Sequence, residues 1–293
     1  MDPKPTVFLR RLFSSVMLWG VSLGTIISGH ELGFLVVIGG LGMLSLVEYF
    51  RMLAAGRLPS FPGLGLFGGA VLTAGGFYFC QRSGVDAAMV FESAALALLV
   101  LGLFGRQLLE RNGGRPALEA VAYTVFGVVY IPLLFGFVTK LVYLTPRGVS
   151  GALTGQYYVL WLILVTKFSD MGAYVTGSLF GKHLLIPSVS PKKTWEGFFG
   201  ALAFSVGGGW GLVTWIPERL PLLSPGLAAA LGLGLGFAAI VGDLAESSIK
   251  RSAGAKDSGG LLPGIGGGLD LIDSILFTAP LLYLYLRFFR GAL

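Results

Sequence analysis

Apolar positions run along this chain in long blocks, without the alternating or 3.6-residue stripes of a half-buried element in a soluble fold. Nine blocks approach the roughly 17–25 apolar residues that cross a bilayer as a helix: 13–28, 32–47, 64–80, 87–104, 120–143, 157–179, 198–216, 227–244 and 271–289. The pattern predicts an all-α polytopic membrane protein with about nine transmembrane helices. The first two blocks are short for full spans, and only Gly29, His30 and Glu31 separate them, which reads as a tight helical hairpin. Lys4, Arg10 and Arg11 precede the first block as in a secretory signal, but a second block follows at once, so an uncleaved helix is expected.

Composition sharpens this picture. Of 293 residues 54% are apolar and 12% charged, about half the charged share of a soluble domain, which excludes an ordinary soluble enzyme. Forty-six glycines without a G-X-Y period suit helices packed closely in lipid. The single cysteine, Cys80, cannot form an internal disulfide and reads as inert core. A net charge of +6 could point to nucleic acid, but most of the 21 Lys and Arg fall in short loops between apolar blocks. Membrane topology explains them, and no nucleic-acid partner is expected. With the N-terminus cytoplasmic, fourteen cations fall on that side and six on the other, namely Arg82, Lys140, Arg147, Arg219, Arg287 and Arg290, with Lys167 inside a span. The bias predicts a cytoplasmic N-terminus, an external C-terminus and therefore an odd number of spans.

The two halves differ in chemistry. Residues 1–150 read as a scaffold of plain transmembrane helices with Glu92 as the exception, and residues 151–293 carry the polar groups of a candidate catalytic site. A GxGxxG match at 63–68 opens an apolar span with no preceding strand and no acidic partner about 20 residues on, so it is not read as a dinucleotide loop. Gly207, Gly211, Gly232, Gly234 and Gly236 likewise suit helix contact. Intramembrane charge is the stronger signal, because an ionised group in hydrocarbon costs at least about 2.5–3.5 kcal/mol. Lys167, Asp170 and Tyr174 share one helix face, either as a self-neutralising pair or as part of a site. Asp243, Glu246, Ser247 and Lys250 share another, and Asp270, Asp273 and Ser274 a third; solvated helix ends are the alternative for each. Under the predicted topology Asp243, Asp270, Asp273 and the loops 182–196 and 250–264 meet at the cytoplasmic face. Carboxylates gathered there require a cation, and hard oxygen donors suit Mg²⁺ with substrate phosphates. Ser190-Pro191-Lys192-Lys193-Thr194-Trp195-Glu196 is expected to start a helix with Pro191 in its first turn and to bind phosphate.

Several of these runs are recognisable together. Ser247-Ser248-Ile249-Lys250-Arg251, Lys256-Asp257, Pro263-Gly264-Ile265-Gly266-Gly267, Asp270 and Asp273 closely resemble the signature of the phosphatidate cytidylyltransferase family, the CDP-diacylglycerol synthases. Asp170-Met171-Gly172-Ala173-Tyr174, Gly177, Phe180-Gly181-Lys182, the 190–197 run and Gly242-Asp243 resemble it too, so the specific likeness covers about 165–280. The resemblance implies cytidylyl transfer from CTP to phosphatidate, giving CDP-diacylglycerol and pyrophosphate, at the cytoplasmic face of a bacterial inner membrane among membrane lipids. It implies Asp243 and Asp270 as Mg²⁺ ligands, with Ser247, Asp273 and Lys250 completing the catalytic set and K⁺ as a second cation. Lys192, Lys193, Arg251 and Lys256 would hold phosphates beside Lys250, with Lys182, Ser190, Thr194, Asp257, Gly266 and Gly267 in the same substrate-binding set. Lys167 and Asp170 would shape the cavity floor, and a homodimer stays open. Three positions depart from the family pattern: Ile265 stands for His, Gly268 for an aliphatic residue and Leu271 for Arg. A related CTP-dependent lipid transferase or kinase, an inactive paralogue and an ion-coupled transporter are the rival readings.

Overall fold

The computed structural model describes residues 20–21, 23–110, 114–144, 155–187, 189–255, 258–259 and 266–289. Among them, eight helices are long and apolar enough to cross a membrane: α1 (Glu31–Ala55), α2 (Pro62–Ser83), α3 (Val85–Glu110), α4 (Arg115–Val142), α5 (Gln156–Phe180), α6 (Trp195–Trp215), α7 (Pro225–Ser252) and α8 (Gly268–Phe289). They correspond one to one with the second to ninth expected blocks. Half of the first block lies outside the described residues; its described positions, 20–21 and 23–28, are helical. Gly29, at φ 63, ends that stretch, and the His30 imidazole caps α1 by accepting the Gly33 N–H at 3.2 Å. The protein is thus an integral membrane protein built from helices.

α1 is a full span of 25 residues, longer than the 32–47 block suggested. In its C-terminal half the buried Ser45 hydroxyl donates back to the Leu41 carbonyl of the same helix, and buried Glu48 accepts the Leu269 N–H. α1 and α4 each contain a π-helical turn, at Leu35–Gly39 and Val129–Leu133. The second contains Pro132, whose missing N–H cannot sustain the regular ladder.

The chain divides into two compact units, Met1–Lys140 with Ser252–Ile272, and Leu141–Arg251 with Asp273–Leu293. In the described part of the first, α2, α3 and α4 enclose a core of Leu72, Leu99, Leu103, Val121 and Val128. The glycines of the 63–68 run sit in helix α2, where Gly65 faces Phe50 and Gly68 faces Leu99, as helix contact requires. Lys140 is not the loop cation expected from the sequence. It is 1% exposed and pairs with Glu92 at 2.7 Å across α3 and α4, because neither charge could remain in an apolar span alone. Its removal from the external count turns fourteen against six into fourteen against five. Beside the pair lies a cavity of about 20 Å³ lined by Gly76, Cys80, Glu92, Pro132, Gly136 and Thr139, room for about one water. Cys80 is buried and free, as expected.

In the second unit α5 and α6 approach most closely. Gly172 lies against the Gly200 carbonyl, Gly200 against Thr176, and the Trp161 indole N–H donates to the Gly209 carbonyl at 2.9 Å. α7 joins through Gly232 and Gly236, which pack on Ser205 and Val206; Gly207, Gly211 and Gly234 have open space instead. Between α5 and α6 the chain forms an antiparallel hairpin, β1 (Leu184–Ile186) and β2 (Ser190–Thr194), with Leu184 opposite Thr194 and Ile186 opposite Ser190. This corrects the expected helix start at Pro191. The helix begins only at Trp195, with Thr194 as N-cap accepting the Gly197 N–H at 3.1 Å, a stronger start signal than the proline.

Candidate metal and phosphate site

The two neighbouring lysines of the hairpin differ in environment, on a strand whose register shifts between its two pairings. Lys192 is exposed, whereas Lys193 places its Nζ 2.7 Å from Asp243 Oδ2 on α7. The hairpin is held in place by Glu196, in the first turn of α6. Its Oε2 accepts the N–H groups of Lys182 and His183 at 3.1 and 3.3 Å, and its Oε1 meets His183 Nδ1 at 2.7 Å. Ser190 and Thr194 flank the two lysines on β2, and the Thr194 hydroxyl is used as the cap of α6.

Asp243 stands where α7 meets α8, and Gly242 makes that approach possible. A Cβ at Gly242 would lie 2.7 Å from the Asp273 carbonyl oxygen. Nearby, Ser274 on α8 donates its hydroxyl to the Ala239 carbonyl at 3.2 Å. The carboxylates of Asp243, Glu246 and Asp273 thereby converge, each offering an oxygen within 4.8 Å of the others. Glu246 is 1% exposed and Asp273 6%, so their charges need compensation. Lys250, one turn along α7, forms an ion pair with Glu246, and Ser247 Oγ lies 3.5 Å from Asp243 Oδ1. Asp243, Glu246, Ser247 and Lys250 thus lie along one face of α7, as their spacing predicts. On α5, Lys167 and Asp170 pair at 3.1 Å, partly exposed, and add no net charge. Among the described residues, Lys193 pairs with Asp243 and Lys250 with Glu246, and the three carboxylates form an all-oxygen donor set suited to a hard divalent cation.

Asp270 belongs to the first unit, and there it has a different neighbourhood. Its Oδ2 accepts the Ser258 hydroxyl at 2.8 Å and the Gly267 N–H at 3.1 Å, capping the start of α8. Gly266 takes a φ of 119, a conformation that favours glycine, as the chain turns into that helix. Arg251 is exposed at the end of α7. Lys256, Asp257 and Ile265 lie outside the described residues.

Two carboxylates escape assignment to a site from sequence. Glu246 is legible as a face-mate of Asp243, but its i+4 lysine gives it the look of a surface ion pair. Glu48 of α1 carries no such signal; it accepts the Leu269 N–H at 3.0 Å.

The cytidylyltransferase family model matches residues 9–289. The chain is 30% identical to the phosphatidate cytidylyltransferase of Bacillus subtilis over 96% of its own length and 98% of that protein. It is 36% identical to the phosphatidate cytidylyltransferase of Mycobacterium bovis over 67% of this chain, spanning 62% of the relative, less than two thirds of it. With the phosphatidate cytidylyltransferase of Staphylococcus epidermidis the identity is 42% over 45% of this chain and 50% of the relative.

Proposed function

Because the chain belongs to the cytidylyltransferase family, we propose that it transfers the cytidylyl group of CTP to phosphatidate, forming CDP-diacylglycerol and pyrophosphate. The names of its relatives support the substrate pair. The structural observation that supports the reading is the ion pair of Lys193 with Asp243 inside a group of three carboxylates, which joins the lysine-bearing hairpin to a cluster that could hold a metal ion. Asp243, Glu246 and Asp273 would hold Mg²⁺. When bound, the ion neutralises triphosphate charge and polarises the α-phosphoryl group. Asp270 enters the proposal on the signature spacing alone, and K⁺ as a second cation on the family resemblance.

The chain's own residues have an electrostatic task. A phosphomonoester has a second pKa of about 6, so phosphatidate arrives with its nucleophilic oxygen largely ionised and needs no general base. That oxygen forms a bond to the α-phosphorus as the bond to the bridging oxygen breaks, and pyrophosphate leaves with the electron pair. Two anions must be drawn together and the charge on the five-coordinate phosphorus stabilised. Lys193, Lys250, Lys192 and Lys167 supply the ammonium groups. The acyl chains stay among membrane lipids, with the reacting groups at the cytoplasmic face of the bacterial membrane.

Asp243→Asn tests this reading. At saturating Mg²⁺ the variant should fold and lose turnover by about 100-fold or more, the loss expected for an interaction made in the transition state. Turnover within a few-fold of the unmodified protein would refute the assignment.

A further inference from the structure

Glu48 lies in the half of the chain that carries none of the signature residues, yet it is 1% exposed and spends a carboxylate on the start of α8. Its Oε2 accepts the N–H of Leu269, one residue before Asp270. Asp270 accepts the N–H of Gly267 and the hydroxyl of Ser258 with a single oxygen, Oδ2. Gly267 lies under both carboxylates: a Cβ there would stand 2.9 Å from Glu48 Oε2 and 3.0 Å from Asp270 Oδ2. Gly259 approaches Glu48 in the same way, 2.7 Å from Oε1. The first N–H groups of a helix have no partner within it, and the helix dipole favours negative charge there. Two side chains from distant parts of the sequence divide these donors between them. Glu48 takes the Leu269 N–H, while Asp270 takes the Gly267 N–H and the Ser258 hydroxyl.

We propose that Glu48 is a positioning residue for Asp270: through this carboxylate, α1 fixes the first turn of α8 and the rotamer in which Asp270 is presented. The proposal rests on the cytidylyl-transfer reading and assigns the N-terminal helices a part in it beyond scaffolding. The residue acts through Asp270 and touches neither substrate.

The test uses the full-length protein with Glu48→Ala, Glu48→Gln and Asp270→Asn, singly and combined. Glu48→Ala should lower kcat by about 10–100-fold with the KM for CTP changed by less than about 3-fold, the signature of lost alignment. Glu48→Gln keeps an acceptor oxygen at the same reach and should restore most of that turnover. Glu48→Ala combined with Asp270→Asn should be no slower than Asp270→Asn alone, since one acts through the other. Hydrogen exchange gives a readout independent of activity: peptides covering 267–270 should exchange about 10-fold faster in Glu48→Ala and near the unmodified rate in Glu48→Gln. Normal kcat in Glu48→Ala, multiplicative losses in the double variant, or equal damage from Gln and Ala would each overturn the proposal. If Glu48→Ala fails to fold, Glu48→Asp, one methylene short, should show an intermediate loss of kcat, and full activity in it would overturn the proposal. If the unmodified protein makes no CDP-diacylglycerol, the functional reading fails, while unchanged exchange in Glu48→Ala would separately refute the positioning role of Glu48.

Discussion

Lys192 and Lys193 are identical in charge and adjacent in sequence, yet Lys192 is exposed and of the two only Lys193 reaches Asp243. Lys193→Ala should therefore lower kcat by about 10–100-fold and Lys192→Ala by less than about 5-fold, in steady-state assays with CTP varied. Read from sequence, the two lysines share one role, because a motif states residue types and not where the folded hairpin aims them. The set Asp243, Glu246, Ser247 and Lys250 is readable from helical spacing, a local property. Glu48 is not, since its meeting with Leu269 bridges 221 positions and leaves no periodic trace.

At the level of elements, hydrophobic blocks foretell the eight described helices, because burial in lipid requires length and apolarity that any sequence must display, though α1 runs on to Ala55 and α7 to Ser252, beyond blocks that end at 47 and 244. The hairpin between α5 and α6 escapes, being short and polar and held by Glu196 rather than by an apolar pattern. The pair Glu92–Lys140 is half legible: Glu92 stands out, and Lys140 passes as a loop cation near the end of its block. Removing one partner leaves the other charged and buried, so Glu92→Ala or Lys140→Ala should each destabilise the folded protein by about 3–5 kcal/mol. Replacing both, Glu92→Leu with Lys140→Met, should cost less than either single change. Thermal unfolding in detergent reads the difference, and turnover of the folded fraction should stay normal in all three.

For the whole molecule, the cation bias of fourteen to five predicts that the hairpin bearing Lys192 faces the cytoplasm and that the loop around Arg219 faces the opposite side. With buried Cys80 replaced by Ala, a cysteine at Lys192 should be labelled by an impermeant thiol reagent only from the cytoplasmic side, and one at Arg219 only from outside. Labelling of both from one face would contradict the proposed orientation. The activity itself is tested most directly by the fate of two labels. Purified protein given phosphatidate, Mg²⁺ and CTP labelled at the α-phosphorus should produce a labelled lipid, whereas label at the γ-phosphorus should appear only in pyrophosphate. Lipid labelled from the γ-position would mark a kinase, and no lipid label from either position would contradict cytidylyl transfer to phosphatidate.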